Sequence, residues 1–451
     1  MSSGRIYSVD DAFRAGIESV CLIFSSKERC LKPNRIIGLV LAGIVSIFML
    51  VRLFPPVYAK SPADGKSASA EAPHWGEGGV PQFQFDSAFP KIPKQWRMGF
   101  GTAISSDSDG NIWILSRPDT VKHPRNTPPD LTSTAAPPVM EFDNAGNFIR
   151  GWGGQDGPGY QWPSSEHGLM IDYKGYVWII GAFPYDPTKY LNPPDLPHDN
   201  QILKFTKDGK FVMQIGHNGQ NGSNATEVLA SPTDMWLYPK TNELFVSDGY
   251  QNARVVVYDA DTGKFKRMWG AYGHTPLDVD KRLPHPPLNA DPSKAEAYVL
   301  QQFSTPHDIK VSSDGLVYVA DRGNRRIQVF TIDGKFLTEQ FIALDLPNPS
   351  CRGIAFSPDE RFMYVGGSGF MWILNRRTLE VLGQLKVGPL VGETPGHLIG
   401  TDKFGNLLAV RAQIDGAEGD PHVPAYKYVF KGYSPKVPCP GCETVRPDLV
   451  K

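Results

Sequence analysis

Three histidines recur at one position of an internal repeat: His167 in Glu166-His167-Gly168-Leu169, His307 in Pro306-His307-Asp308-Ile309 and His397 in Gly396-His397-Leu398-Ile399. They belong to the second, fourth and sixth copies, and Thr102, Thr233 and Arg352 hold the same position in the first, third and fifth. If the copies are blades around a ring, alternate blades lie a third of a turn apart and the three imidazoles converge on the axis. Three neutral imidazoles with an open fourth position suit catalytic Zn²⁺ rather than a closed structural site. Iron and copper also accept imidazole, since selection among these metals rests on geometry and supply.

A second register lies directly after the second strand of the repeat. It holds Arg117 in Ile114-Leu115-Ser116-Arg117 and Arg322 in Ala320-Asp321-Arg322, in the first and fourth copies. Tyr250, in Ser247-Asp248-Gly249-Tyr250 of the third copy, is one residue beyond it. Taken singly, Arg322 is explained by pairing with Asp321 and Tyr250 by an exposed ring. Taken together, they surround a metal with two cations and a phenol. Arginine grips a carboxylate through two parallel hydrogen bonds, and a phenol beside a metal ion and arginine can serve as a base.

The elements that must position these groups are short strands. The unit is clearest at 304–341, STPHDIKVSSDGLVYVADRGNRRIQVFTIDGKFLTEQF, which reads as strands Asp308–Val311, Leu316–Ala320, Ile327–Thr331 and Lys335–Phe341. Asp314-Gly315 and Asp333-Gly334 are tight hairpin turns, in which glycine supplies the positive φ. Five further copies begin near residues 100, 165, 231, 350 and 394. The last lacks a clear fourth strand, which the segment around Gln82–Phe85 can supply to close the ring. Four-strand repeats of about 40 residues indicate a β-propeller, and closure removes the edges that invite aggregation. Strand direction alternates within a blade, so the histidine register, the second-to-third-strand connections and the blade-to-blade links share one face. The long inserts at 118–138, 182–199, 271–303 and 411–424 all belong to that face, with Pro128-Pro129, Pro193-Pro194 and Pro286-Pro287 among them. Function collects on loops carried by a rigid scaffold, which makes this the expected working face.

Composition agrees with an all-β chain: glycine (45) and proline (40) are both abundant, which favours many short strands and turns over helices. The net charge of −1 offers no attraction for nucleic acid. Ahead of the repeats, Ile36–Val51 is an uncharged apolar run that continues through Leu53 and Phe54. With Arg52 snorkelling it reaches the roughly 20 residues needed to span a bilayer. Lys27, Arg29, Lys32 and Arg35 precede it, so the positive-inside rule places residues 1–35 in the cytoplasm and the repeats outside. The expected organisation is a cytoplasmic segment 1–35, a transmembrane signal-anchor 36–54, a flexible linker 55–80, a six-bladed propeller 81–432 and a tail 433–451. The alternative is a secreted protein released by cleavage after Val57-Tyr58-Ala59. Cys351 falls in a strand-like segment and is expected to be buried, and Cys439 and Cys442 form a local pair best suited to a disulfide in an exported protein.

The copies resemble NHL repeats, through Val319-Ala320-Asp321, Asn324, Arg326-Ile327 and Val329-Phe330. The third and fourth copies further resemble the catalytic core of peptidyl-α-hydroxyglycine α-amidating lyase. The matching stretches are Pro232-Thr233-Asp234, Val246-Ser247-Asp248-Gly249-Tyr250, Asn252, Arg254-Val255, Trp269-Gly270, Pro306-His307, Val319-Ala320-Asp321-Arg322 and Arg326-Ile327-Gln328. His167-Gly168-Leu169 and Arg117 extend the resemblance into the second and first copies. It implies a six-bladed propeller holding zinc on His167, His307 and His397, which cleaves a peptidyl- or acyl-α-hydroxyglycine to an amide and glyoxylate. It further implies that Tyr250 is the base and that Arg117 and Arg322 hold the substrate's carboxylate. The family's third histidine is followed by an aspartate that helps hold a structural calcium. Leu398 stands there in this chain, and Gln251 and Val317 replace half-cystines, so neither the calcium nor those disulfides carries over.

Two other readings use the same scaffold. One is a metal-dependent lactonase or esterase, whose axial cation calls for carboxylate and asparagine ligands. The other is a membrane-tethered NHL propeller that binds a protein or glycan and needs no metal.

Overall fold

In a computed structural model, the structure describes residues 20–24, 27–31, 79–122, 130–182, 199–219, 224–278, 301–343, 351–367, 369–386, 395–411 and 424–434. The chain divides into two units, Met1–His74 and Trp75–Lys451. In the first, Val20–Phe24 and Lys27–Leu31 form an antiparallel hairpin with Cys21 opposite Cys30. The apolar run 36–54, the cysteine pair 439 and 442 and most of the long inserts lie outside the described residues. No helix among the described residues is long and apolar enough to cross a membrane.

The second unit is an all-β, six-bladed propeller. Its blades are sheets of four antiparallel strands taken in chain order, and they begin at Phe100–Ser106, Glu166–Ile171, Pro232–Tyr238, Pro306–Val311, Gly353–Phe356 and Pro395–Thr401. The sixth blade is completed by Val80–Phe85, which pairs with Ala425–Ser434, Phe85 opposite Tyr428 and Val80 opposite Ser434. The ring is therefore closed by the segment that the repeat count called for.

Why these residues form blades is visible at the first hairpin turn. Asp107 accepts the backbone N–H groups of Asp109 and Asn111, and its other oxygen accepts the indole N–H of Trp113 at 3.2 Å. Asp172 repeats the arrangement with Lys174, Tyr176 and Trp178. Gly110 and Gly175 close these turns at φ 90° and 82°, a region open to glycine without steric penalty. Each turn thus ties its own loop to the core, since Trp113 and Trp178 are fully buried.

The core is a circuit of layers between neighbouring blades. Trp178, Ile180, Met235 and Val246 fill one between blades two and three, and Phe245, Val255, Ile309 and Val319 fill the next. Cys351 is buried between blades four and five. The innermost strands are left to line the axis. Along that axis lies a cavity of about 250 Å³ whose walls include Met170, Trp236, Lys310, Phe356 and Thr401.

Candidate metal centre

The three histidines stand within the innermost strands, and each sits at a break in strand register. Pairing slips between Glu166 and Gly168, between Pro306 and Asp308, and between Pro395 and Ile399. Simple alternation would not place these side chains, because a bulge turns one residue out of the pleat. The result is convergence: ring centroids are 5.1 Å apart for His167 and His307, and 4.8 Å for His397 with either.

Each imidazole is held by the next blade of the ring. His167 Nδ1 meets the Thr233 carbonyl at 2.7 Å, His307 Nδ1 meets that of Arg352 at 2.7 Å, and His397 Nδ1 meets that of Thr102 at 3.0 Å. A carbonyl only accepts, so Nδ1 carries the proton in all three and Nε2 presents a lone pair. The non-histidine copies of the register therefore have a task of their own, which is to orient their neighbours' imidazoles. Burial holds all three rings neutral: it lowers His167 to about 3, with Arg117 adding to the effect, and takes His307 and His397 well below the usual range.

Tyr250 sits at this trio. Its hydroxyl is 2.9 Å from His167 Nε2 and 3.0 Å from His307 Nε2, and it accepts from Arg322 Nη1 at 3.3 Å. One phenolic proton faces two lone pairs, and His397 Nε2 has no hydrogen-bond partner among the described residues. Acceptors outnumber protons, a condition that a cation resolves. The ligand atoms lie within 4.8 Å of one another. The donor set fits a divalent metal of zinc's preferences, three neutral nitrogens oriented by second partners.

The loops bearing Tyr250 and Arg322 are fixed by a repeated staple. Asp248, at the end of a second strand, accepts the Ala230 N–H, the Asn252 amide and Arg254 Nε at 2.9 Å. In the next blade Asp321 accepts the Ser304 N–H, the Asn324 amide and Arg326 Nε at 2.7 Å. Both ion pairs are fully buried. Asp321 is thus engaged by Arg326, and the pairing that would have made Arg322 a mere structural residue is absent. Arg117 ends its strand, and its Nε donates to the Glu166 carbonyl at 2.9 Å, next to the first histidine.

Close packing also sets the Tyr250 loop. A Cβ on Gly249 would fall 1.8 Å from the Pro306 carbonyl oxygen, on the strand that carries His307. Gly249→Ala is therefore expected to lower stability by about 1–3 kcal/mol. An unchanged midpoint in urea unfolding would contradict this packing.

Three features lay beyond the reach of sequence reasoning. Glu166 is buried against Trp162, whose indole N–H donates to it at 2.8 Å, and burial raises its carboxyl to about 7. Lys310 lies between Asp234 at 2.8 Å and Asp308 at 2.5 Å, while Asp308 also accepts the Ile354 N–H at 2.6 Å. Burial opposes the charge on Lys310, but the two carboxylates outweigh it and hold the pKa above normal. This cluster fastens the inner strands of blades three, four and five together just past the histidine register. The third feature is the Arg352 side chain. Its signal in the sequence is its place at the histidine position of the fifth copy, where residue type alone marks an ordinary cation.

The NHL repeat model matches residues 303–330, within the fourth blade and its lead-in. NHL repeat-containing protein 3 of Homo sapiens is 23% identical over 368 residues, covering 77% of this chain and 86% of that protein. Peptidylglycine alpha-amidating monooxygenase of Rattus norvegicus is 32% identical over 170 residues, 38% of this chain but 14% of that protein. Peptidyl-alpha-hydroxyglycine alpha-amidating lyase 1 of Drosophila melanogaster is 24% identical over 254 residues, 52% of this chain and 38% of that protein. The chain thus spans a minor part of the amidating enzymes it matches. It carries an NHL repeat and is distantly similar both to those enzymes and to NHL repeat-containing protein 3.

Proposed function

We propose that the protein is a metal-dependent carbon–nitrogen lyase that cleaves a peptidyl- or acyl-α-hydroxyglycine to an amide and glyoxylate. The observation that carries this reading is the Tyr250 hydroxyl, within hydrogen-bond reach of two of the three imidazoles and of Arg322 at once. His167, His307 and His397 would hold Zn²⁺, which as a Lewis acid makes the substrate hydroxyl more acidic. Tyr250, as phenolate, takes that hydroxyl proton. The O–H electron pair becomes the second bond of an aldehyde carbonyl, the C–N bond breaks, and nitrogen leaves with its pair and gains a proton. An acyl-α-hydroxyglycine becomes a primary amide and glyoxylate without water or redox change. Arg322 donates to the Tyr250 oxygen, and Arg117 and Arg322 together provide positive charge for the substrate carboxylate.

The test is glyoxylate release from α-hydroxyhippurate by the zinc-loaded full chain. Tyr250→Phe is expected to lower kcat by roughly 10²–10⁴-fold, the usual weight of a general base, with zinc content unchanged. Retained activity in that variant would remove Tyr250 from the chemistry. A lactonase would need free carboxylates on the axis, whereas Asp234 and Asp308 are both engaged by Lys310.

One observation favours a second reading, a binding propeller without catalysis: the similarity to NHL repeat-containing protein 3 extends over more of the chain than that to the amidating enzymes. Metal analysis of the purified protein separates the two. Stoichiometric zinc supports the lyase, and its absence after growth in zinc supports the binding module.

A further inference from the structure

We propose that Arg352 is a specificity-determining residue of this site, and that with Arg322 it forms the seat of the substrate's carboxylate on the side of blades four and five. The inference rests on the lyase reading for the identity of the anion, though not for its existence.

The backbone places Arg352 in the site. It occupies the histidine register of blade five, immediately before Gly353–Phe356, and its carbonyl holds His307 Nδ1. Its guanidinium acts electrostatically on Arg322, on Tyr250 and on His397, groups contributed by three other blades. Arg322 and Arg352 come from adjacent blades, four and five. The Nε atoms of both Arg322 and Arg352 are buried and lack a hydrogen-bond partner among the described residues.

The carboxylates nearest in sequence are already used. Asp321 is taken by Arg326, Asn324 and Ser304, and Asp308 by Lys310 and Ile354. Arg117, across the axis, differs in that its Nε is satisfied by the Glu166 carbonyl. Buried donors of like charge without an acceptor are unfavourable unless an anion arrives. Burial and then Arg322 lower Arg352 to about 10, partly offset by Tyr250. It stays cationic at neutral pH even so. A carboxylate meets the need better than a neutral group because it can accept from both guanidiniums at once. An anion held here lies beside Tyr250 and the histidine trio, which is where the carboxylate of an α-hydroxyglycine must lie if its hydroxyl is to reach them.

The experiment uses the zinc-loaded full chain and two inert probes, hippurate and its neutral analogue hippuramide, with binding measured by calorimetry. Wild type is expected to bind hippurate more tightly than hippuramide. Arg352→Gln should weaken hippurate by about ten- to a hundredfold, the loss expected for a hydrogen bond to a charged group, and leave hippuramide unchanged. Arg352→Lys should recover part of the loss. With α-hydroxyhippurate, Arg352→Gln should raise KM more than it lowers kcat. Zinc content and the thermal midpoint are measured on each variant, since only the side chain is altered and the carbonyl that holds His307 remains. Equal binding of the two probes by wild type overturns the proposal, as does hippurate binding by a folded, zinc-replete Arg352→Gln variant that matches wild type. A parallel loss of both probes also overturns it, because it would indicate a structural role. If hippurate binding depends on Arg352 while α-hydroxyhippurate yields no glyoxylate, the anion seat stands and the lyase reading fails.

Discussion

Replacing His307 by alanine is expected to empty the metal centre and abolish glyoxylate release, while the propeller remains folded. Like His167, His307 is joined on both sides: Nδ1 to the Arg352 carbonyl, and Nε2 to the phenol of Tyr250. Removing it leaves two nitrogens, too few for a zinc site that must also keep a position open. Loss of an outer partner of a metal ligand already costs about 10–100-fold in affinity or activity, and loss of the ligand itself should exceed that range. The folding cost is separate and smaller, about 1–3 kcal/mol for a buried carbonyl left without its donor. Zinc content, glyoxylate release and urea unfolding together decide the matter. Full zinc retention by His307→Ala would show that the trio is not the ligand set.

The largest effect on stability is expected from Arg326→Met. Arg326 and Asp321 form a fully buried ion pair, and the arginine also donates to Tyr272 and Glu339. Removing the cation strands a carboxylate in the core, which costs about 3–5 kcal/mol. The urea midpoint should fall accordingly. Asp321→Leu combined with Arg326→Met should recover much of the loss, because uncompensated charge is more costly than an apolar pair. The single variant should also loosen the turn that begins at Arg322, since Asp321 anchors Ser304 and Asn324 on either side of it. A midpoint within error of wild type would mean that the staple contributes little.

Much of this architecture was legible in the residues. Asp-Gly turns, strand spacing and the count of copies specify six blades, and the missing fourth strand of the last copy pointed to the segment around Gln82–Phe85, which lies within the observed strand Val80–Phe85. The shared register of His167, His307 and His397 was legible for the same reason, since a repeat turns sequence position into spatial position. The bulges were not legible. A strand read by alternation predicts only two faces, and the histidines stand where alternation fails. Nor were the carbonyls of Thr233, Arg352 and Thr102 legible as imidazole partners, because main-chain acceptors leave no trace in residue type. Arg352 and Lys310 were missed for a related reason. Each is an ordinary cation by type, and only its surroundings, a second guanidinium in one case and two carboxylates in the other, give it meaning.

The strand that closes the ring also bears on the candidate metal centre. Val80–Phe85 completes the last blade by pairing with Ala425–Ser434. The Thr102 carbonyl of blade one meets the imidazole of His397 of blade six across the junction between the first and last blades. One of the three candidate donors is thus oriented from the far side of the place where the two ends of the propeller meet. An ion held by the three imidazoles would act as a clasp, tying blade six to blades two and four across the middle of the ring.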